Sequence, residues 1–317
     1  MTAGLSWFEV ALLLAAGVLL DMLLGEARRW HPLVGFGNLA YALERRLNRA
    51  PWRIARGTLG WLLAVVPPVF ISAWICGAIG PAAHALLLYF CIGLRSLRDH
   101  NLPIARALDQ NDIAQARLLT ARIVSRDTDH ASASDLAKAS VESLLENGND
   151  AVFGTLFWFA VGGGAGAVLF RLANTLDAMW GYRTERFNEF GRVAARIDDI
   201  LNYLPARLTA LSYVLLAPTM QDRRHAWHCW RMQAPAWSSP NAGPVMSSGA
   251  GALGLSLGGA ASYGGEIEQR PPLGNGQPAQ ARDIVRAWQL VARTTVLWLA
   301  CAGAFAVAIY LVRGVNA

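Results

Sequence analysis

The sequence predicts an all-α, polytopic helical membrane protein with broken or re-entrant segments and a helical soluble portion. Two observations support this fold class. Of the 317 residues, 54% are hydrophobic and only 16% are charged, which is too apolar for an ordinary soluble domain. In addition, long uncharged runs alternate with segments rich in arginine, and 27 of the 28 basic residues are arginine, with Lys138 the exception.

The uncharged or nearly uncharged runs are the predicted membrane segments. A bilayer core of about 30 Å requires roughly 20 apolar residues in a helix. The first run has no basic region before it and continues into Asp21, so we expect it to be retained and not cleaved as a signal peptide. The predicted segments are residues 5–24, 58–94, 151–170 and 294–312, with 200–221 as a weaker candidate.

Glycines interrupt two of these runs. Residues 58–94 exceed one span, and the Gly80-Pro81 step is expected to turn a helical hairpin. Residues 151–170 contain Gly162, Gly163, Gly164 and Gly166, which permit either close helix packing or a broken, re-entrant path.

The arginine-bearing segments constrain the topology, because basic loops prefer the cytoplasmic side. They are residues 25–57, 95–150, 171–199 and 222–293. They cannot all face the cytoplasm if every candidate run crosses the membrane. We therefore favour a re-entrant or broken pair within 151–221, an external N-terminus, and an active site that faces the cytoplasm from the cell inner membrane.

The organisation predicted for residues 1–317 is a single membrane domain in contact with lipid. Residues 95–150 mix Ala and Leu with polar residues at helical intervals and are expected to form a predominantly soluble helical segment. Residues 222–293 are expected to form a Gly/Ser/Pro-rich substrate loop, because residues 232–265 contain eight glycines and no charged residue.

Several common functions are excluded because their sequence motifs are absent. Basic residues with interleaved aromatics, as nucleic acid would require, do not occur. Neither a phosphate-binding P-loop, a dinucleotide fingerprint nor an H-E-x-x-H zinc motif is found. The cysteines form no C-x-x-C pair, so a disulfide framework or metal site is not expected; they are Cys76, Cys91, Cys229 and Cys301.

The first candidate half-site begins at Ser125-Arg126-Asp127-Thr128 and ends at Asp150. On a continuous helix, Glu142, Glu146 and Asp150 would share one face. Like charges at this spacing repel, so a cation or a basic partner is expected to neutralise them. The alternative is a solvated acidic face.

The second candidate half-site follows the glycine-rich run. Carboxylates with nearby amides can supply hard oxygen ligands for a divalent metal. Alternatively, Asp198 or Asp199 could cap a helix or pair with Arg192 or Arg196. Polar groups at the head of an apolar run favour a functional interpretation, because they are costly in a membrane. The residues are Asn174, Asp177, Asp198, Asp199, Asn202 and Arg207.

Short motifs occur along nearly the whole chain. They are Asp21…Gly25, His31-Pro32-Leu33-Val34, Ser125-Arg126-Asp127-Thr128, Val141-Glu142-Ser143, Glu146-Asn147, Asn149-Asp150, Asn174-Thr175-Leu176-Asp177, Gly181-Tyr182, Phe190-Gly191, Ala195-Arg196-Ile197-Asp198-Asp199, Asn202-Tyr203-Leu204-Pro205-Ala206-Arg207, Ser239-Pro240-Asn241-Ala242-Gly243 and Tyr263-Gly264-Gly265. Taken in this order, the motifs resemble the CobD/CbiB family of adenosylcobinamide-phosphate synthases, membrane proteins of cobamide biosynthesis. One departure is Ala178, where the family usually has Ser; another is Gly154-Thr155, where an Ala-Pro-like pair is common.

The resemblance implies ATP-dependent amide formation between the free propionate carboxylate of adenosylcobyric acid and (R)-1-amino-2-propanol or its O-phosphate. Mg²⁺ is the implied metal, and ATP is the co-substrate. Association with other late cobamide-assembly membrane enzymes and homo-oligomerisation are left open.

Roles are assigned to individual residues as hypotheses. Either Glu142 or Glu146 is expected to be the base that accepts a proton from the ammonium group. The catalytic candidates are Asp127, Glu142, Glu146 and Asp150. The substrate-binding candidates are His31, Arg126, Asn147, Asn174, Arg196, Asn202, Arg207, Asn241 and Tyr263. The metal-binding candidates are Asp177, Asp198 and Asp199.

Two alternatives from other functional classes remain. A non-enzymatic membrane signalling protein shares the superfamily resemblance, although a scaffold has no chemical need for so many carboxylates near membrane segments. A corrinoid transporter would also suit broken helices and polar residues at membrane depth.

Overall fold

The computed structural model describes residues 4–27 and 31–315. It confirms the predicted all-α class. The α-helices of the described residues are α1 (Trp7–Leu24), α2 (Pro32–Leu47), α3 (Arg53–Ile79), α4 (Pro81–Cys91), α5 (Leu94–Asp109), α6 (Ile113–Thr120), α7 (Ala133–Gly148), α8 (Gly154–Trp180), α9 (Arg192–Leu216), α10 (Met220–Gln233), α11 (Ala242–Leu253) and α12 (Ala281–Val315).

A small sheet that the sequence analysis did not predict accompanies the helices. Its strands are β1 (Leu255–Tyr263), β2 (Glu266–Leu273) and β3 (Gln277–Pro278), in the order β2-β1-β3. β1 pairs antiparallel with β2, with a register shift at Gly258/Gly259, and parallel with β3.

The chain divides into two compact units. Unit 1 comprises residues 1–93, 150–202 and 298–317, and unit 2 comprises residues 94–149 and 203–297.

Membrane character is confirmed by helix length and composition. Within residues 4–27 and 31–315, four helical paths are long and apolar enough to cross a membrane: Trp7–Leu24, Arg53–Ile79, Ala133–Trp180 and Ala281–Val312. The weaker candidate at 200–221 lies mostly within α9 and is not among them.

The predicted break at Gly80-Pro81 is present in unit 1. Gly80 has φ +83°, a backbone conformation that favours glycine, and it separates α3 from α4. Pro81 then begins α4 at a position where a missing N–H costs nothing. The residues after the break form a helix of 11 residues, about half the length that a full span requires.

The glycine-rich run in α8 folds back on itself. Gly163 has φ +60° and ψ −150°, which interrupts the helix. A Cβ placed on Gly166 would lie 2.2 Å from the main-chain oxygen of Trp158, and one on Gly154 would lie 2.1 Å from the ring of Phe170. Residues so far apart in sequence meet only if the chain reverses direction, so this run is a re-entrant helical hairpin.

The length of the first arm supports the same conclusion. Residues 154–161 form an arm of about 12 Å, well short of a bilayer core of about 30 Å. At the tip, the main-chain N–H of Gly164 donates to Nδ1 of His84, 3.0 Å away. His84 is buried, and it therefore satisfies a donor that the helix break exposes.

In unit 2, α7 is the most deeply buried of the helices from the segment that we predicted to be helical. The hydroxyl of Ser140 in α7 donates to Oδ1 of Asn101 in α5, at 2.7 Å. Part of the polar face of α7 is therefore buried inside unit 2. A solvated face, which was the alternative, would be exposed.

The expectation of a loop over residues 222–293 was wrong in its local structure. This segment contains most of α10, the whole of α11 and the sheet, and all 12 residues of α11 are buried. The glycines act as packing residues: a Cβ on Gly251 would lie 2.6 Å from Cα of Ala226, and one on Gly249 would lie 2.6 Å from the side chain of Leu145. Small residues therefore permit close helix packing, where the sequence analysis had predicted flexibility.

Candidate active site

A cavity of about 410 Å³ in unit 2 collects several residues that were predicted from the sequence. Its walls come from the segment before α7, from α7 itself, from the segment around Trp237 and from the β1–β2 hairpin. The predicted residues that line it are Arg126, Glu142, Glu146, Asn147 and Tyr263.

Glu142 is the best-connected side chain of this cavity. It is 2% exposed and forms ion pairs with Arg126 and Arg270. Its Oε2 lies 3.0 Å from Nη1 of Arg270, and its Oε1 accepts a 2.7 Å hydrogen bond from the main-chain N–H of Gly258. Both carboxylate oxygens are therefore occupied, and two guanidinium groups favour the ionised form.

This arrangement makes Glu142 the weaker of the two candidates for the base. Its carboxylate holds the cavity wall together, and its cationic partners disfavour protonation. Glu146 lies one helical turn further along α7, lines the same cavity and is half-buried. Next to it, the amide of Asn147 donates to the main-chain oxygen of Ser143 at 3.0 Å.

Asp150 does not continue the predicted acidic stripe. α7 ends at Gly148, and a π-helical turn, Asn149–Phe153, follows. Because a π turn is wider than an α turn, the register of α7 is lost there. The stripe therefore ends at Glu146, and Asp150 belongs to unit 1.

Arg270 and Trp237 are cavity residues that the sequence analysis missed. The guanidinium carbon of Arg270 lies 5.7 Å from the centroid of the Trp237 ring, a cation–π distance. Arg270 follows 128 residues after Glu142 and lies on β2, in a segment predicted to be a loop. The sequence signal that could have found it is the motif Tyr263-Gly264-Gly265, where the chain turns and brings β2 back beside β1.

Asp127 anchors this hairpin. Its carboxylate accepts hydrogen bonds from the main-chain N–H groups of Gly264 and Gly265, at 3.2 and 2.8 Å, and from the hydroxyl of Ser262 at 2.7 Å. The Gly265 N–H, followed by the Ser262 hydroxyl, holds the pKa of Asp127 below its usual value. In this position Asp127 fixes the turn that precedes Arg270, and it does not line the cavity.

Arg207 and Asn241 pair with each other elsewhere in unit 2. Nη1 of Arg207 donates to Oδ1 of Asn241 at 2.8 Å, and its guanidinium lies 3.5 Å from the centroid of the Tyr203 ring. Neither residue lines the cavity that contains Glu142. This contact shows that the two motifs meet, which was not predicted, and the substrate-binding roles of both residues stay predictions.

The second predicted half-site, apart from Arg207, lies in unit 1. Amide groups surround Asp198: Nδ2 of Asn202 lies 3.2 Å from its Oδ2, and Nδ2 of Asn174 lies 3.4 Å from its Oδ1. Burial, followed by the nearby carboxylates of Asp150 and Asp177, raises the pKa of Asp198 above its usual range. The re-entrant hairpin explains this proximity, because it returns the chain from Asp150 to Asp177.

Asp177 is fitted closely against the chain that follows it. A Cβ on Gly181 would lie 2.0 Å from Oδ1 of Asp177, so only glycine is tolerated at this point. Asp199 has a different environment. Burial raises its pKa, and the positive charges of Arg196 and Arg183 oppose that shift. This agrees with the alternative in which Asp199 interacts with Arg196.

The predicted metal ligands do not form a complete protein site. Among the described residues, no group of three or more His, Cys, Asp or Glu side chains is placed to hold a metal ion. Mg²⁺, however, commonly takes one or two carboxylates and completes its shell with water and phosphate oxygens. The pair Asp177 and Asp198, with the Asn174 and Asn202 amides beside it, fits that mode of binding.

His31 has a local structural contact. Its Nδ1 accepts a 3.2 Å hydrogen bond from the main-chain N–H of Leu33 and so caps the start of α2. Its ring lies edge-on to Phe90, with 5.9 Å between the ring centroids. These contacts account for its position without a ligand, and its predicted role in substrate binding stays a prediction.

Comparison with known proteins gives consistent matches over most of the chain. The family model described as CobD/Cbib protein matches residues 14–291. The cobalamin biosynthesis protein CobD of Stutzerimonas stutzeri (strain A1501) is 54% identical over 297 residues, which cover 92% of this chain and 96% of the relative. The protein of the same name from Chromobacterium violaceum is 50% identical over 311 residues, covering 94% and 97%.

More distant relatives carry the same name. The cobalamin biosynthesis protein CobD of Mycobacterium tuberculosis is 36% identical over 291 residues, which cover 89% of this chain and 91% of the relative. No solved structure is significantly similar to the chain.

Proposed function

Because the chain belongs to the CobD/CbiB family, we propose that it is a membrane enzyme of cobalamin biosynthesis that acts on a corrinoid substrate. The relatives that support this role match along nearly their whole length, so they share both units with this chain. Four helices long and apolar enough to cross a membrane, among the described residues, agree with a membrane enzyme.

The specific reaction that we propose is ATP-dependent amide formation. The free propionate carboxylate of adenosylcobyric acid is the acyl donor, and (R)-1-amino-2-propanol or its O-phosphate is the amine. A carboxylate is a poor acyl donor, so it requires activation before an amine can attack it.

The activation step that we propose forms an acyl phosphate. A carboxylate oxygen of the substrate forms a bond to the γ-phosphorus of ATP, and the bond from that phosphorus to the β–γ bridging oxygen breaks, which releases ADP. When bound, Mg²⁺ neutralises charge on the phosphate oxygens. Asp177 and Asp198 would hold it, and the amides of Asn174 and Asn202 orient the Asp198 carboxylate.

The amine then forms a bond to the acyl carbon, and inorganic phosphate leaves with the electron pair of the broken carbon–oxygen bond. The attacking nitrogen must first lose the proton that makes it an ammonium ion. Glu146 is our assignment for the group that accepts this proton. Glu142 keeps its two arginine partners throughout and positions the wall of the cavity.

The residues that line the cavity also suit a phosphorylated amine. The guanidinium groups of Arg126 and Arg270 favour phosphate oxygens as partners, although the lining carboxylates of Glu142, Glu146 and Glu268 outnumber them. Glu146 faces the same cavity as a partner for the ammonium end. We therefore favour aminopropanol O-phosphate over the free amine.

One observation carries this proposal: Glu146 shares a cavity with a second carboxylate that is already neutralised by two arginines. The test compares Glu146→Gln with Glu266→Gln, an exposed carboxylate on the β1–β2 hairpin that does not line the cavity. Loss of a general base lowers turnover by about 10²–10⁴-fold. We expect that loss in the first variant only, with both variants folded; equal turnover in the two variants would remove Glu146 from the mechanism.

A transporter remains the second candidate, because re-entrant helices also occur in transporters. The re-entrant hairpin of α8 is the observation that favours it. The two functions give different results in detergent solution, where an enzyme forms an amide and a transporter only binds its solute.

A further inference from the structure

A second polar cavity, of about 600 Å³, lies in unit 1, and its lining residues do not include the carboxylates assigned to the reaction. It is formed where α2 ends, where α3 begins and in the segment between α8 and α9. Its principal lining residues are Glu44, Arg45, Asn48, Arg53, Glu185 and Arg186.

An ion pair forms one wall of this cavity. Nη2 and Nε of Arg186 lie 2.7 and 3.1 Å from the two carboxylate oxygens of Glu44, which is buried. The amide of Asn48 donates to Oε1 of Glu44 at 2.8 Å and to the main-chain oxygen of Arg186 at 2.9 Å. These two donor contacts fix the orientation of the Asn48 side chain.

Two buried polar atoms of residues that line the cavity lack hydrogen-bond partners. They are Oδ1 of Asn48, an acceptor, and Nε of Arg53, a donor. Leaving a buried polar group unpaired costs about 1–3 kcal/mol, so native proteins rarely do so. A ligand that offers both an acceptor and a donor would satisfy the two atoms together.

The cavity lies at the start of a membrane helix. α3 is long and apolar enough to cross a membrane, and Arg53 is its first residue. Trp52 is 75% exposed and Tyr41 is 54% exposed, as is typical of aromatic side chains at the membrane–water interface. Arg45 lies beside Tyr41, with 5.7 Å from its guanidinium to the ring centroid. Arginine and exposed aromatic residues at the end of an apolar helix are expected at the level of the lipid headgroups.

We propose that this cavity binds the headgroup of a phospholipid whose phosphodiester is accompanied by a hydrogen-bond donor. The phosphodiester oxygens would accept from Arg53 and pair with Arg45, because arginine forks suit phosphate oxygens. A hydroxyl or ammonium group of the headgroup would donate to Oδ1 of Asn48, and the Glu185 carboxylate at the same cavity favours such a donor. Phosphatidylglycerol and phosphatidylethanolamine have this chemistry, and phosphatidylcholine lacks the donor.

The test measures lipid binding to the full-length protein in detergent by native mass spectrometry and by the shift of the thermal unfolding midpoint. The probes are phosphatidylglycerol, phosphatidylethanolamine, phosphatidylcholine and inorganic phosphate at matched concentrations. The variants are Arg45→Gln, Arg53→Gln and the double variant, with Arg122→Gln as the control, because Arg122 is exposed and lies in unit 2.

We expect the two donor-bearing lipids to bind and raise the midpoint of the wild type, and phosphatidylcholine to do neither. Each arginine removed should weaken binding by about fivefold, and Arg122→Gln should have no effect. An equal response to phosphatidylcholine, or full lipid binding by a folded double variant, would overturn the proposal. An arginine-dependent shift given equally by inorganic phosphate would also overturn it, in favour of a soluble anion.

Discussion

Glu142 and Arg270 are joined by two hydrogen bonds, from Nη1 to Oε2 at 3.0 Å and from Nη2 to Oε1 at 3.3 Å, although 128 residues separate them in the sequence. The pair fastens β2 to α7, and Arg126 reinforces it from the segment before that helix. The cavity wall therefore depends on charged side chains from three segments of the chain: the segment before α7, α7 itself and β2.

Replacing Arg270 by Met should destabilise the protein, because it removes one of the two cations that compensate the buried carboxylate of Glu142. Breaking a buried ion pair from one side costs about 3–5 kcal/mol, and the remaining Arg126 should place the loss toward the lower end of that range. Thermal unfolding in detergent measures it. Glu268→Gln, a change at an exposed position on the same strand, should stay within about 0.5 kcal/mol of the wild type. An unchanged midpoint for Arg270→Met would show that the pair has no structural role.

Replacing Gly166 by Ala should disrupt the re-entrant hairpin of α8. The new Cβ would lie 2.2 Å from the main-chain oxygen of Trp158, so the two arms would have to separate. Overpacking of this kind costs about 1–3 kcal/mol. Gly162→Ala is the matched control in the same run, since a Cβ there meets nothing within 4 Å and φ is −127°. If both variants unfold at the same temperature as the wild type, the arms are not packed as described.

Replacing Asp198 by Asn should raise the Mg²⁺ concentration needed for half-maximal turnover by at least about tenfold, if Asp198 takes part in holding the metal with the nucleotide phosphates. The titration is run at saturating ATP. Asp109→Asn removes the same charge from an exposed position of unit 2 and should leave the Mg²⁺ dependence unchanged. A variant at position 198 with wild-type Mg²⁺ dependence would exclude this carboxylate from metal binding.

The Glu44–Arg186 pair predicts a pH-dependent contribution to stability. The hydrogen bond from Arg186 holds the pKa of Glu44 below its ordinary value of 4.5. A carboxylate with a lowered pKa stabilises the folded state fully above its unfolded pKa and loses that contribution as the pH falls through the folded value. The difference in unfolding midpoint between wild type and Glu44→Gln should therefore be constant above about pH 5 and shrink below pH 4.5. A difference that persists or grows in acid would contradict this assignment.

The sequence predicted the features of the fold that depend on local composition. It predicted the uncharged runs, the break at Gly80 and the interruption around Gly163, because span length and backbone conformation depend on neighbouring residues. The hairpin β1–β2 was not predicted. Its register depends on contacts such as the one between the Gly258 N–H and Glu142, which are 116 residues apart.

In the candidate site, too, residues with a local motif were predicted and residues brought in by long-range contacts were not. Arg126, Glu142 and Glu146 were predicted from their motifs and meet in one cavity. Arg270 has no comparable local signal, since an arginine that follows a stretch rich in glycine and serine looks like an exposed loop residue. Asp127 was predicted as catalytic from its motif, but only the folded hairpin reveals that its oxygens bind the turn at Gly264 and Gly265.

The central claim is that the chain forms an amide bond on a corrinoid at the expense of ATP. The most direct measurement incubates the purified protein with adenosylcobyric acid, Mg²⁺, ATP and either aminopropanol or its O-phosphate, and follows the corrinoid and the nucleotide by mass spectrometry. We expect adenosylcobinamide phosphate to form from the phosphorylated amine with release of one ADP per product. Glu146→Gln should lower amide formation by about 10²–10⁴-fold, and it should not prevent the first release of ADP, because activation of the carboxylate precedes the step that needs Glu146. Corrinoid binding without any amide product, for either amine, would contradict the account and favour a transporter.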